Sequence, residues 1–248
     1  MIGKSMLKPR TIGRLRPEAS MAVTAVTSSA VRREYRRQHS LSEQIADGCV
    51  HVIGILAGLS GSVLLVTEAA LRQGPVQVVL VSIYAMALLA MFSASAAYNL
   101  FYDTRFRDIF RRCDHSAIFC LIAGTYTPFA IALNPVFGAS LCAIVWAVAF
   151  VGIWLKFTRS DLFDKVSVYI YLAQGWLAVV ALHPLASHMR LDVTLTLIAG
   201  GLLYTVGVVF HLSERLPFHN AIWHLFVLAA AVCHYTAILD GVVLTHLS

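Results

Sequence analysis

Charged residues are scarce in this 248-residue chain, and acidic residues are the scarcest among them. Asp and Glu number 13 and Lys and Arg 19, so that charged residues make up 13% of the sequence and hydrophobic residues 58%. Soluble globular domains carry about 25% charged and about 45–50% apolar residues. The composition therefore excludes an ordinary soluble enzyme, a disordered chain and a nucleic-acid-binding module, and it is typical of a polytopic membrane protein.

Cysteine is also sparse, and none of the five cysteines belongs to a CxxC pair. Four of the five lie inside apolar runs. We therefore expect no structural disulfide and interpret the cysteines as small apolar residues.

The basic residues concentrate at the start of the chain. Nine of the 19 precede His39, where the acidic residues are only Glu18 and Glu34. We interpret residues 1–41 as a basic, disordered cytosolic tail and residues 42–248 as one membrane domain. A transit peptide is an alternative interpretation of the tail, and Met6 or Met21 could be the true start.

Seven apolar stretches are long enough to cross a bilayer as helices. Prolines at positions 75, 135, 184 and 217 fall between stretches, whereas Pro128 lies inside the third and should kink it. The sequence therefore predicts an all-α integral membrane protein, a bundle of seven transmembrane helices. The predicted spans are about 43–70, 77–101, 115–133, 138–156, 166–183, 193–211 and 221–244.

The loops between the predicted spans differ strongly in charge. With the N-terminus in the cytosol, the inner loops hold Arg105, Arg107, Arg111, Arg112, Lys156, Arg159, Lys165 and Arg215, and the outer loops hold only Arg72 and Arg190. Because positive residues stay on the cytosolic side, this asymmetry predicts that the N-terminus is inside and the C-terminus outside. We expect the protein to lie in the plasma membrane, which for a bacterium is the inner membrane.

Polar residues recur near the inner ends of four predicted spans, where ionisable groups are expensive and often functional. The candidates share one depth, in the cytosolic half of the membrane, and this convergence predicts one buried polar site. Each also has a simpler interpretation: Glu43 as a helix cap, Asp114 and His115 as interfacial ion-pair partners, and Asn99 as a helix–helix contact. The candidates are Glu43, Asp47, His51, Ser95, Asn99, Asp114, His115, His219, Asn220 and His224.

Four sequence segments resemble the hemolysin III group of the progestin and adipoQ receptor (PAQR) superfamily. They read EQIADGCVHVIG, SASAAYNLF, RRCDHSAIFCLIAGTYTPF and NAIWHLFVLAAAVCHY. The resemblance covers roughly residues 42–245, and the architecture looks more like the bacterial branch than the animal receptors.

The resemblance implies a seven-helix bundle with an intracellular N-terminus and a zinc ion in the inner leaflet. In the family, zinc is held by one histidine of an SxxxH motif and two of an HxxxH motif, and an aspartate of the third span supports the metal-bound water. Alkaline ceramidases, which are related membrane hydrolases, share this arrangement. The resemblance therefore implies a zinc-dependent lipid hydrolase or a descendant of one.

This chain departs from the family motifs at two of the three histidine positions. The SxxxH segment contains Ser95 and ends at Asn99, and the HxxxH segment runs from Asn220 to His224. An amide oxygen is a poorer zinc ligand than imidazole, so a site made of His224, Asn99 and Asn220 is degenerate. His51 or His115 could contribute ligands, or the polar residues could form a hydrogen-bonded cluster without metal.

The sequence therefore leaves two alternative functions. The first is a metal-assisted hydrolase of a membrane lipid amide or ester, with Asp114 activating water and Ser95 hydrogen-bonding to the water or to the developing oxyanion. The second is a non-catalytic protein of lipid sensing or membrane homeostasis. A cytolytic pore is disfavoured, because nothing in the chain looks like a secreted toxin, and the sequence shows no internal repeat typical of transporters. The expected partner is membrane lipid and not nucleic acid, and the sequence leaves the oligomeric state open.

Overall fold

The computed structural model describes residues 40–244, without the side chains of residues 131, 132, 160–162, 165, 182, 183, 185 and 188. The predicted tail therefore lies almost wholly outside the described residues. Within 40–244 the chain forms eight α-helices and no strand. They are α1 (Leu41–Arg72), α2 (Pro75–Leu100), α3 (Arg107–Tyr126), α4 (Pro135–Thr158), α5 (Ser160–Trp176), α6 (Ala178–His188), α7 (Leu191–His211) and α8 (His219–Ile238).

The helix starts follow from local sequence signals. Ser40 and Glu43 form a capping box at the start of α1, with the Glu43 N–H donating to Ser40 Oγ and the Ser40 N–H donating to Glu43. Helices α2 and α4 begin with Pro75 and Pro135, whose fixed φ angles suit a first helical turn. The capping box gives Glu43, one of the candidate site residues, a structural role at the start of α1.

Five helices of the described part are long and apolar enough to cross a membrane. They are α1, α2, α4, α7 and α8 with its π-helical end at Leu239–Val243. The predicted third span is divided between α3 and a 3₁₀-helix at Thr127–Ala132, because Pro128 cannot continue the α-helical hydrogen bonding. The structure thus supports a multi-pass helical protein, while the total of seven spans remains a prediction.

Pro184 lies between the apolar segment Val166–Ala181 and α7, as expected, but it does not end a helix. Pro184 lies inside α6, and the predicted fifth span is divided between α5 and α6 at Leu177. Pro184 is the seventh of the eleven residues of α6, where a proline costs one backbone hydrogen bond without ending this helix.

Small residues bring the helices close together. A Cβ atom on Gly54 or Gly58 of α1 would lie 3.0 Å from the Phe92 ring of α2, and one on Gly61 would lie 3.2 Å from Tyr235 of α8. Gly54 and Gly58, which are four residues apart on α1, therefore allow the close packing of α1 against α2. This packing sets α1 between α2 and α8, the two helices that carry most other polar candidates.

The largest fully buried side chains, such as Tyr84 and Phe119, pack inside the bundle, while large apolar side chains point outward along several helices. Leu56, Phe150 and Trp154 are each 62% exposed or more. A helix bundle with an apolar exterior is the expected form of a protein surrounded by lipid.

We expect Gly152→Ala to destabilise the protein, because the added methyl group would lie 2.5 Å from the ring of Phe119. Overpacking of this kind costs about 1–3 kcal/mol. Gly201→Ala is the matched control, since a Cβ atom at that position would meet no neighbouring atom within 4 Å. Thermal unfolding in detergent should show a lower midpoint for Gly152→Ala and an unchanged or higher midpoint for the control, because Ala favours a helix interior more than Gly does. Equal midpoints for the two variants would contradict the α3–α4 packing.

Candidate polar site in the helix bundle

Helices α1 and α8 bring three ionisable side chains together. Asp47 and His51 are four residues apart and share one face of α1. The Asp47 carboxylate contacts His224 of α8, with 2.5 Å between Oδ1 and Nδ1, and its other oxygen lies 3.4 Å from His51 Nε2. The two imidazole rings lie 4.4 Å apart between centroids. We call Asp47, His51 and His224 the DHH group.

Helices α2 and α3 add two further polar side chains to the DHH group. Ser95 of α2 is buried, and its Oγ lies 3.5 Å from Nε2 of His224. Asp114 of α3 lies beside the Ser95 hydroxyl and within electrostatic range of both histidines and Asp47. Four helices therefore contribute polar side chains to one place in the bundle.

Asn99 and Asn220 contact each other next to this site. The Asn220 amide donates to Asn99 Oδ1 at 3.3 Å, and the Asn99 amide donates to the backbone carbonyl of Ser95 at 2.9 Å. The first contact uses the carbonyl oxygen of Asn99 and links α2 to α8, and the second lies within α2. The structure thus places both asparagines beside the DHH group and engages Asn99 in a helix–helix hydrogen bond.

Glu43 and His219 lie near the first turns of α1 and α8. Glu43 Oε1 accepts the Phe218 N–H at 2.8 Å, which ties the start of α1 to the start of α8. Glu43, His219, Asp47 and Asn220 line a small cavity between the two helix ends. These two candidates therefore border the approach to Asp47 and lie outside the DHH group itself.

His115 belongs to a different cluster. Lys156 of α4 is fully buried, and its Nζ contacts Asp164 Oδ1 at 2.5 Å, Ser167 Oγ at 2.9 Å and His115 Nδ1 at 3.0 Å. Arg111 binds the second oxygen of Asp164, also at 2.5 Å. We call this set the Lys156 cluster, and it joins α3, α4 and α5.

The negative charge of Asp164 balances positive charge in the Lys156 cluster. Asp164 precedes the apolar segment Val166–Ala181. Burial alone would raise its pKa, but the hydrogen bond and charge of Lys156, together with His115 and Arg111, hold the pKa below its ordinary value. Asp164 is therefore a carboxylate at neutral pH.

The residues of the DHH group fit a divalent metal ion. Nε2 of His51 is buried and has no hydrogen-bond partner among residues 40–244, because the 3.4 Å contact with Asp47 lacks hydrogen-bond geometry. One ligand atom from each of the three residues lies within 4.8 Å of the others. Two imidazoles and one carboxylate are the ligand set of several zinc hydrolases.

Comparison with known proteins agrees with this architecture. Residues 39–235 match the family described as haemolysin-III related. The chain belongs to this family. It is 36% identical over 205 residues to Hemolysin-3 of Bacillus cereus, a match that covers 82% of this chain and 94% of that protein.

Two further relatives support the assignment. The Hemolysin-3 homolog of Bacillus subtilis (strain 168) is 35% identical over 201 residues, covering 81% of this chain and 94% of that protein. The human monocyte to macrophage differentiation factor is 32% identical over 164 residues, covering 63% and 67% respectively. No solved structure matches. The haemolysin-III-related family and the helices of spanning length together make the chain an integral membrane protein.

The sequence contained signals for the Lys156 cluster that our interpretation did not use. Lys156 stands inside an apolar run, and Asp164 follows eight residues later across a short turn. A lysine in a membrane span needs an anionic partner, and the nearest acids are the obvious candidates. Adjacent residues of a helix point in different directions, so Asp114 and His115 could not both face one site.

We expect Asp164→Leu to destabilise the protein more than Lys156→Met. The first substitution leaves a fully buried ammonium group without its carboxylate, at a cost of about 3–5 kcal/mol. The second leaves Asp164 partly exposed and still paired with Arg111. Unfolding in detergent of both variants and of the double variant provides the measurement, and a double variant less stable than Asp164→Leu would contradict the pairing.

Proposed function

We propose that this member of the haemolysin-III-related family is a membrane hydrolase that cleaves an ester or amide bond of a lipid with the help of a divalent metal ion. The observation that supports the proposal is the DHH group, buried in the bundle beside Ser95 and Asp114. Ionisable side chains inside apolar helices are costly, and their concentration in one place favours a chemical role.

Asp47, His51 and His224 would hold the metal. The buried Nε2 atom of His51 has no protein hydrogen-bond partner in the described part of the chain, as expected for a nitrogen that binds an ion. This ligand set differs from the one that the family motifs suggest, His224 with Asn99 and Asn220. The asparagine contacts support the difference, because Asn99 Oδ1 is already a hydrogen-bond acceptor.

A metal ion bound here supplies a Lewis acid that polarises a carbonyl group and lowers the pKa of a water molecule. The protein residues have distinct roles around it. Asp114 accepts a proton from the attacking water, since its carboxyl group lies beside Ser95 and near both histidines. The Ser95 hydroxyl donates a hydrogen bond to the oxygen on which negative charge develops.

A lipid is the substrate class that suits this position. Asp47 lies six residues after the start of α1, or about 9 Å along the helix at about 1.5 Å per residue. A carbonyl group at the boundary between lipid headgroups and acyl chains lies at a similar depth. Water enters from the cytosolic rim at Glu43 and His219, and the acyl chains lie along the apolar exterior.

We further propose the topology of seven spans in the bacterial inner membrane, with the N-terminus in the cytosol. The distribution of Lys and Arg between the loops supports it. A phosphatase fused after Ser248 should be active, because alkaline phosphatase matures outside the cytosol, and a fluorescent protein fused there should be dark. Fusions at the loop near Arg159 give the opposite expectation, and an active phosphatase at Arg159 would contradict the orientation.

The metal content of the purified full-length protein tests the proposed function directly. We expect about one zinc per chain in the parent and loss of zinc in His51→Ala and His224→Ala, because removal of one imidazole leaves too few strong ligands. Asn220→Ala should retain zinc, since its amide is not in the DHH group. Zinc loss in Asn220→Ala and His224→Ala, with zinc retained in His51→Ala, would favour the family ligand set instead.

Lipid hydrolysis is measured on the same samples with a mixture of bacterial phospholipids and ceramides. Release of fatty acid should follow zinc content across the variants. The double substitution Asn99→His with Asn220→His separates the two ligand sets. Zinc affinity should change little where the DHH group holds the ion, and a large gain would favour the family positions, because imidazole binds zinc better than an amide oxygen. A parent without zinc and without released fatty acid would remove the hydrolase proposal and leave the non-catalytic function.

A further inference from the structure

An open cavity of about 340 Å³ lies between the start of α1 and the turn that joins α7 to α8. Its wall is formed by Ser40, Glu43 and residues 214–219, and we call it the rim cavity. It shares three wall residues, Glu43 among them, with the small cavity that reaches Asp47, so the two cavities adjoin. The volume is at the lower end of the range for small-molecule sites, about 300–1,000 Å³.

The rim cavity presents charge of both signs. Glu214 and Arg215 follow each other in the turn, and both are exposed. Neither side chain forms an ion pair among residues 40–244, so both charges are available to a ligand. Glu43 adds a second carboxylate to the wall. The cavity therefore combines one guanidinium group with two carboxylates.

We propose that the rim cavity binds the headgroup of a glycerophospholipid that carries both a phosphate and a primary ammonium group. Arg215 binds the phosphate, and Glu214 and Glu43 attract the ammonium group. The proposal rests on the lipid hydrolase function proposed above and names the substrate class of that site.

The chemistry of the wall selects this headgroup. A guanidinium group binds phosphate through two parallel hydrogen bonds, and a primary ammonium group offers three N–H donors to carboxylates. A quaternary ammonium group has no N–H donor, and an anionic headgroup without an amine meets two carboxylates that repel it. A ceramide has neither a phosphate nor an amine and gains nothing from the cavity.

The position of the rim cavity places the ester of such a lipid at the DHH group. Glu43 and Asp47 are four residues apart on α1, which is about 6 Å along the helix at about 1.5 Å per residue. The acyl ester of a glycerophospholipid is only a few bonds from its phosphate, so the two groups fit adjoining cavities. Leu216 and Phe218 line the rim cavity and are each 39% exposed, which gives the lipid an apolar contact there.

The junction of the two cavities has a strained backbone. Phe218 has a φ angle of 61°, and it is the one non-glycine residue with a positive φ among residues 40–244. Bulky residues rarely adopt this conformation, and strain of this kind is typical of ligand sites. The Glu43 carboxylate holds the turn in place, because it accepts the Phe218 N–H at 2.8 Å. The shape of the cavity is therefore fixed before a lipid binds.

Binding of phospholipids to the purified full-length protein tests the proposal. The probes are ether-linked phosphatidylethanolamine, phosphatidylcholine and phosphatidylglycerol, which have no acyl ester and cannot be hydrolysed. Native mass spectrometry of the protein in detergent gives the dissociation constants. We expect phosphatidylethanolamine to bind at least about 5-fold more tightly than the other two, because only its ammonium group donates charge-assisted hydrogen bonds to carboxylates. Equal affinities for the three lipids would overturn the proposal.

Two substitutions test the two halves of the headgroup separately. Glu214→Gln should weaken phosphatidylethanolamine at least about 3-fold and leave phosphatidylglycerol unchanged or tighter, because a neutral amide neither attracts the amine nor repels the anion. Arg215→Gln should weaken all three lipids, which share the phosphate. Arg190→Gln, at the opposite end of α7, is the matched control and should bind like the parent. Unchanged binding in both Glu214→Gln and Arg215→Gln would overturn the proposal.

Soluble competitors distinguish a lipid headgroup from free phosphate. Glycerophosphoethanolamine has the complete headgroup without alkyl chains, so it should displace the ether-linked phosphatidylethanolamine at high concentration. Inorganic phosphate at the same concentration should displace much less, because it lacks the amine. Equal displacement by the two competitors would overturn the assignment to this headgroup and indicate a simple phosphate site.

The outcomes also separate this proposal from the proposed function, because binding of an ether lipid needs no hydrolysis. Selective binding of phosphatidylethanolamine by a protein that holds no zinc and releases no fatty acid would support the headgroup site and remove the hydrolase. Zinc-dependent release of fatty acid at equal rates from ester-linked phosphatidylethanolamine and phosphatidylglycerol, without selective binding, would keep the hydrolase and remove the headgroup site. Selective binding together with selective hydrolysis would support both.

Discussion

The carboxylate of Asp47 is the contact on which the arrangement of the site depends. An uncompensated carboxylate inside a bundle surrounded by lipid is costly, so both of its oxygens must have partners. One oxygen contacts His224 and the other lies near His51, so that a single side chain connects the first and the last helix of the described bundle. The remaining polar groups, Ser95 and Asp114, contact His224 or its neighbours and so depend on the same connection.

Much of the fold could be predicted from hydropathy, because a helix that crosses a membrane must be long and apolar. Five helices of the described residues satisfy that criterion. The prediction was weakest where charge or proline interrupts an apolar run. Helix α3 begins with Arg107 in a charged stretch. Pro184 lies inside α6, because local packing decides whether a proline ends a helix or is accommodated within it.

The sequence indicated that the polar residues share one level of the bundle, but it did not indicate which of them contact each other. That common level followed from the positions, along their helices, of Asp47, His51, Ser95, Asp114 and His224. Which residues touch depends on the rotation of each helix about its axis, and packing sets that rotation. His115 follows Asp114 directly and faces the Lys156 cluster instead, and Asn220 contacts Asn99 one turn away from the His224 contact with Ser95.

Charge balance constrains the chemistry that we propose for the site. Asp47 and Asp114 bring two carboxyl groups into a small volume of low dielectric constant, where a net charge is expensive. One divalent metal ion neutralises two carboxylates, and so do two protons held by the carboxyl groups or the histidines. A site that must hold either an ion or protons suits chemistry in which a carboxylate accepts a proton from water. Amides at positions 99 and 220 are neutral, so they leave the charge balance of the site to Asp47, Asp114 and the groups that pair with them.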